Sequence, residues 1–154
     1  MTATTTAANL DRVFKAYDVR GVVPDEVDEH LARAIGAAFV AVTGEGAGAP
    51  GVVVGHDMRA SSPGMAAAFA EGASGAGAEV TMIGLASTDQ LYFASGWLGL
   101  PGAMFTASHN PARYNGVKLC RALAVPVGEQ TGLREIRDRI AAGELPTAES
   151  PGAV

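Results

Sequence analysis

Ser108, His109, Asn110 and Lys118 bring a hydroxyl, an imidazole, a carboxamide and an ammonium into one short stretch. That stretch reads Thr106-Ala107-Ser108-His109-Asn110-Pro111, followed by Tyr114-Asn115-Gly116-Val117-Lys118. The residues before it, Ala103-Met104-Phe105, are apolar and read as a short buried strand. Ser108 therefore falls where a strand runs out into a loop, a common place for chemistry because a rigid scaffold positions the loop. Lys118 lies in the next apolar run, Val117 to Cys120, and can face back toward the serine. It is a candidate general acid or base, a role a lysine fills only where burial or nearby cations favour its neutral form. The plain alternative is a strand-edge lysine in solvent. His109 is the other proton-transfer candidate, or it only anchors the loop. Asn110-Pro111 reads as a turn.

Two further stretches could serve the same loop. Phe14-Lys15-Ala16-Tyr17-Asp18-Val19-Arg20-Gly21 places Arg20 at a strand end before a glycine turn. From there a planar guanidinium could project toward Ser108, and its geometry suits two-point contact with phosphate oxygens. The alternative is a surface arginine paired with Asp18. Val54-Gly55-His56-Asp57-Met58-Arg59-Ala60-Ser61-Ser62-Pro63 follows a strand and opens a helix. Asp57 and Arg59 can act on a ligand or form an ion pair that buttresses the loops.

Together these three stretches resemble the α-D-phosphohexomutases, the family of phosphoglucomutases, phosphomannomutases and phosphoglucosamine mutases. The serine stretch is similar to the family's active-site loop, and Tyr17-Asp18-Val19-Arg20-Gly21 to its Tyr-Asp-Ile-Arg-Gly motif. The third stretch resembles a Gly-Arg-Asp-x-Arg-x-Ser-Ser-Pro segment, with His56 in place of the first arginine. The resemblance implies that Ser108 is a phosphoserine, that Ser108, Lys118, His109 and Arg20 are catalytic, and that Tyr17, Arg20 and Lys118 touch substrate. It implies interconversion of hexose 6-phosphate and hexose 1-phosphate through a bisphosphosugar, with hexose 1,6-bisphosphate as activator. It also implies Mg²⁺ bound through the Ser108 phosphate, with mannose or glucose phosphate as substrate. Tyr114 and Thr106 favour the bacterial phosphomannomutase/phosphoglucomutase branch.

The surrounding elements must hold these groups. Val13 to Val19 reads as the first strand, and residues 1–12 as a flexible leader. Asp25 to Thr43 has Val27, Leu31, Ala34, Ile35, Ala38, Phe39 and Val42 on one helical face. Gly51 to Val54 reads as a buried strand, and Ser61-Ser62-Pro63 opens a helix closed by Gly75 and Gly77. Glu79 to Ile83 is a strand, and Ser87-Thr88 caps a helix carrying Leu91, Phe93 and Trp97. Ala103 to Phe105 and Gly116 to Cys120 are strands, and Thr131 to Ala142 is a last helix stopped by Gly143. Alternating strands and helices predict a three-layer α/β/α sandwich with a mixed, largely parallel sheet.

The 154 residues suit one domain. A net charge of -5 argues against a general nucleic-acid binder, which needs a basic face, but leaves room for local cations around an anionic sugar phosphate. The single cysteine, Cys120, excludes an internal disulfide and a paired-cysteine metal site. No secretory signal or bilayer-spanning run is visible, so a cytoplasmic protein without membrane partners is expected. Gly46-x-Gly48-x-x-Gly51 has dinucleotide-fingerprint spacing but precedes a strand and contains Pro50. No Gly-x-Ser-x-Gly elbow occurs, and adjacent Ser108 and His109 cannot easily meet, which counts against a serine hydrolase.

The resemblance covers residues 13–146 as the family's first domain, with 147–154 of linker composition leading to a second. The family's Asp-x-Asp-x-Asp metal run and Gly-Glu-x-Ser-Gly-His sugar loop are not in this sequence. The expectation is an N-terminal domain that is inactive alone and works with missing C-terminal domains of the same chain. The competing expectation is a non-catalytic module that binds phosphosugars or a partner domain.

Overall fold

Alternating burial along the strands divides the core in two. A computed structural model describes residues 2–44 and 51–154. In β2 (Gly51–His56), Val52 and Val54 point into the larger cluster while Val53 points into the smaller one. In β4 (Gly102–Phe105), Ala103 and Phe105 join the larger and Met104 the smaller. Side chains alternate across a pleated strand, so the two clusters lie on opposite faces of the sheet. The larger cluster is covered by α1 (Ala7–Val13), α2 (Glu29–Thr43), α3 (Ser62–Gly75) and α5 (Leu133–Ala142). The smaller is covered by α4 (Thr88–Leu98) through Leu91. The result is the expected α/β/α sandwich.

The strand order is β1-β5-β4-β2-β3, where β1 is Val19–Val22, β3 is Glu79–Leu85 and β5 is Tyr114–Arg121; the short β6 (Val125–Pro126) pairs with β5. The sheet is mixed and largely parallel, as expected: β5 alone runs against the other five strands. β2 is parallel to β3 and β4, whereas β1/β5, β4/β5 and β5/β6 are antiparallel. The physical reason is loop length. Residues 106–113 join β4 to β5, too few for the crossover that a parallel pair requires.

Gly116 governs the β1–β5 contact. It pairs with Arg20, and a Cβ built on it would overlap the Val19 carbonyl oxygen. On the helical side, a Cβ at Gly36 would overlap the Phe69 carbonyl, so α2 and α3 pack backbone to backbone. Phe39, Phe69 and Phe105 then run from helix to sheet, the first pair tilted with centroids 6.0 Å apart and the second edge to face at 5.6 Å.

Several expectations change. The segment read as a flexible leader is folded: Thr6 caps α1, and Leu10 and Val13 are fully buried against the helical layer. Its Thr/Ala composition hid the apolar anchor Leu10. The strand read from Val13 begins only at Val19, because α1 runs through Val13. α2 starts at Glu29, where the Asp28 side chain accepts from the Leu31 N–H, rather than at Asp25. Of the three apolar residues read onto α4, only Leu91 turns inward. Phe93 and Trp97, one turn apart on the other side, stack on each other in solvent. The linker-like tail is tied down, with Ala148 N–H donating to the Gly75 carbonyl and Val80 N–H to that of Ala153. The glycine pattern beginning at Gly46 lies mostly outside the described residues. Cys120 is buried beside the Ser95 hydroxyl, as its apolar run suggested.

Truncating Leu10→Ala should cost roughly 2–5 kcal/mol in urea unfolding, as for other buried leucines. A mobile leader would show almost no change. Gly116→Ala should cost about 1–3 kcal/mol by overpacking.

Candidate active site

β1 and β5 set two cations side by side. Val19 joins the larger core, so Arg20 emerges on the opposite face; Val117 and Leu119 likewise force Lys118 to that face. Arg20 pairs with Gly116, two residues before Lys118, so the two side chains are diagonal neighbours. Asp18 lies one step beyond the Val19–Val117 pair, opposite Lys118. Its Oδ2 accepts from Arg20 Nη2 at 2.5 Å and lies 3.6 Å from Lys118 Nζ. One carboxylate oxygen therefore holds both cations.

The loop from Thr106 to Arg113 meets them. Arg20 Nη1 donates to Asn110 Oδ1 at 2.7 Å. Its Nε–H is buried and has no acceptor among the described residues. A buried, unpaired N–H is costly unless something else accepts from it. Ser108 is exposed and has a left-handed backbone (φ 52°), and its N–H donates to Thr106 Oγ1. His109 is exposed and makes no hydrogen bond among the described residues.

The sequence-predicted residues thus divide. Arg20, Lys118 and the Ser108 loop come together through Asp18 and Asn110. Tyr17 does not join them; its ring is exposed beside Gly128, near β6. Asn110 does more than shape a turn, since its carboxamide receives Arg20. Arg20 pairs with Asp18, and it also reaches the loop through Asn110.

Beneath the loop lies a polar support that the sequence left undivided between ligand and scaffold. Arg59 Nε donates to Asp57 Oδ2 at 3.2 Å. Arg59 Nη1 donates to the Pro111 and Tyr114 carbonyls, and Nη2 to those of Ser108 and Asn110, all at 2.9–3.0 Å. Asp57 is anchored in turn: the Ser62 hydroxyl and the Arg59 amide donate to its Oδ1. The buried Asn115 carboxamide donates to the Ser61 and Ser62 hydroxyls. Burial pushes the Asp57 carboxyl up, but bonds from Ser62, the Arg59 amide and Thr106, with the Arg59 charge, outweigh it and hold it low. The only sequence signal for this network was the two-residue spacing of Asp57 and Arg59 ahead of a Ser-Ser-Pro helix start. His56, at the position where the resemblance has an arginine, turns its Nδ1 to the Asp57 carbonyl at 2.9 Å.

A divalent cation does not fit on these residues alone. Among the described residues no group of three His, Cys, Asp or Glu side chains is placed to hold one. Asp18 and Asp57 are both committed to cationic partners. Ser108 would supply at most one ligand, through a phosphate. Among the described residues no helix is long and apolar enough to cross a membrane.

Residues 11–147 match the family model described as phosphoglucomutase/phosphomannomutase, α/β/α domain I. The chain belongs to this family. The phosphohexose mutases of Xanthomonas campestris are 47% identical over 141 residues, which are 91% of this chain and 31% of theirs. A phosphomannomutase of Klebsiella pneumoniae is 42% identical over 137 residues, 88% of this chain and 85% of that sequence. The crystal structure of a phosphoglucomutase/phosphomannomutase family protein from Burkholderia thailandensis superposes with a TM-score of 0.80 at 33% identity, covering 99% of this chain and 33% of that one. This domain I therefore spans about a third of the length of the Xanthomonas relatives and of the Burkholderia structure.

The depressed Asp57 carboxyl gives a pH signature. It stabilises the fold above the unfolded aspartate value, about 3.9, and that contribution is lost as pH falls through the lower folded value. Asp57→Asn should therefore be less stable than the parent chain at pH 7, and the gap should narrow below about pH 4. Urea unfolding at both pH values checks this.

Proposed function

We propose that Ser108 is a phosphoryl carrier in a phosphohexomutase that interconverts hexose 6-phosphate and hexose 1-phosphate. The observation that carries this reading is an exposed serine on a loop that Arg20 reaches through Asn110, with Arg20 and Lys118 tied to one carboxylate, on the family's domain I. A sugar hydroxyl attacks phosphorus on Ser108, the Oγ–P bond breaks, and the hydroxyl proton leaves to a base. The bisphosphosugar formed then returns its other phosphoryl group to the Ser108 hydroxyl. Such transfers depend mainly on positioning and on fixed charge facing the moving phosphoryl group.

Arg20 and Lys118 supply that charge. The unpaired Arg20 Nε–H supports a role in receiving an anionic oxygen. In this reading phosphate oxygens compete with Asp18 for both cations, so Asp18 orients them before substrate arrives. Lys118 and His109 are the groups through which a proton could pass. Mg²⁺ would act beside the phosphoserine, with its carboxylate ligands coming from outside these residues. Mannose or glucose phosphate is the substrate class implied by the relatives' names. Because those of Xanthomonas are about three times as long, residues 1–154 alone should give no mutase turnover.

The test uses a chimaera in which residues 11–147 replace the matching segment of the Xanthomonas relative. After incubation with Mg²⁺ and a hexose 1,6-bisphosphate, peptide mass spectrometry should find phosphate on Ser108. Ser108→Ala should lose both the label and turnover while keeping its melting temperature. Wild-type turnover by that variant would rule out the carrier role.

A further inference from the structure

Ser108 holds a backbone conformation that a serine seldom adopts, and one side chain fastens the loop around it. Its φ of 52° lies in the left-handed region, where a Cβ crowds the following carbonyl. Non-glycine residues stay there only when their surroundings over-determine them. On one side the Ser108 N–H is fixed to Thr106 Oγ1 at 3.0 Å; on the other its carbonyl receives Arg59 Nη2 at 2.9 Å.

Arg59 is suited to this by saturation. A guanidinium has five N–H donors in a rigid plane, and all five are used: one on Asp57 and four on the carbonyls of Ser108, Asn110, Pro111 and Tyr114. Its side chain is only 10% exposed. It cannot take a phosphate oxygen without releasing part of the loop. In Arg20, by contrast, the Nε–H has no acceptor among the described residues. Lysine offers three donors on a flexible stem and no fork, so it cannot span the same four carbonyls.

We propose that Arg59 is a positioning residue that locks the Ser108 loop in its strained form and so sets where the Ser108 hydroxyl points. The proposal rests on the carrier reading of Ser108 for its catalytic consequence, but not for its structural one. Asp57, Ser62 and Asn115 are the anchor: they hold the guanidinium against the sheet while its outer nitrogens hold the loop.

Two arms separate the proposals. In the 154-residue chain, amide hydrogen exchange is followed in Arg59→Lys and Arg59→Ala. Exchange at Asn110 and Tyr114 should rise at least tenfold, while amides of β2 and β5 beyond Tyr114 stay as in the parent. Millimolar guanidinium should restore protection in Arg59→Ala. Unchanged loop exchange, or a rise spread equally through β2 and β5, overturns the clamp. In the chimaera, Arg59→Lys should lower kcat about a hundredfold with little change in KM, and guanidinium should recover part of the rate in Arg59→Ala. A loosened loop with wild-type kcat overturns the positioning role and leaves the carrier reading intact. If even the parent chimaera takes no phosphate on Ser108, the carrier reading fails while the exchange arm still decides the clamp.

Discussion

Backbone meets backbone where β1 crosses Gly116, and the site is built outward from that contact. With no side chain at 116, β1 lies flat on β5, and the antiparallel register places Arg20 diagonally from Lys118 with Asp18 facing it. The same β5 strand returns from the Ser108 loop beside β4. Three segments far apart in the chain thus converge without any one of them being long. A side chain at 116 would move Arg20 away from Asn110, its partner across 90 positions.

The charges around Ser108 are arranged in two tiers. Below the loop, Arg59 and Asp57 form a closed system in which every guanidinium donor has an acceptor. Beside it, Arg20 and Lys118 share one carboxylate oxygen, and the buried Arg20 Nε–H has no acceptor among the described residues. A saturated arginine is structural in effect, because breaking several good hydrogen bonds to bind a ligand is unfavourable. An under-used one retains the capacity to bind an anion. This difference, rather than the net charge of -5, explains how an acidic chain can present a cationic site.

The two sheet faces are unequally covered. Four helices bury the larger cluster, whereas α4 covers the other side with little beyond Leu91. Arg20 and Lys118 emerge on the sparsely covered face. Ser108 and His109 are open to solvent, an arrangement that leaves the hydroxyl accessible while the scaffold behind it stays packed.

Much was legible in the sequence because it depends on local rules. Strand runs and helix caps gave the alternation of elements and the three layers, and the apolar run before Ser108 placed the serine at a strand end. The motif residues gave the family. What the sequence misjudged depended on partners distant in the chain. Leu10 lies in a Thr/Ala-rich segment and acquires meaning only against the helical layer. Arg59 read equally as ligand or scaffold, since nothing near it in sequence reveals four carbonyls arriving from residues 108–114. Residue identity thus determined which chemistry this protein carries: a serine, a lysine and arginines with the donors suited to phosphate. Tertiary structure alone decided which arginine is spent on the loop and which is left free, because hydrogen-bond saturation belongs to the folded surroundings of a side chain.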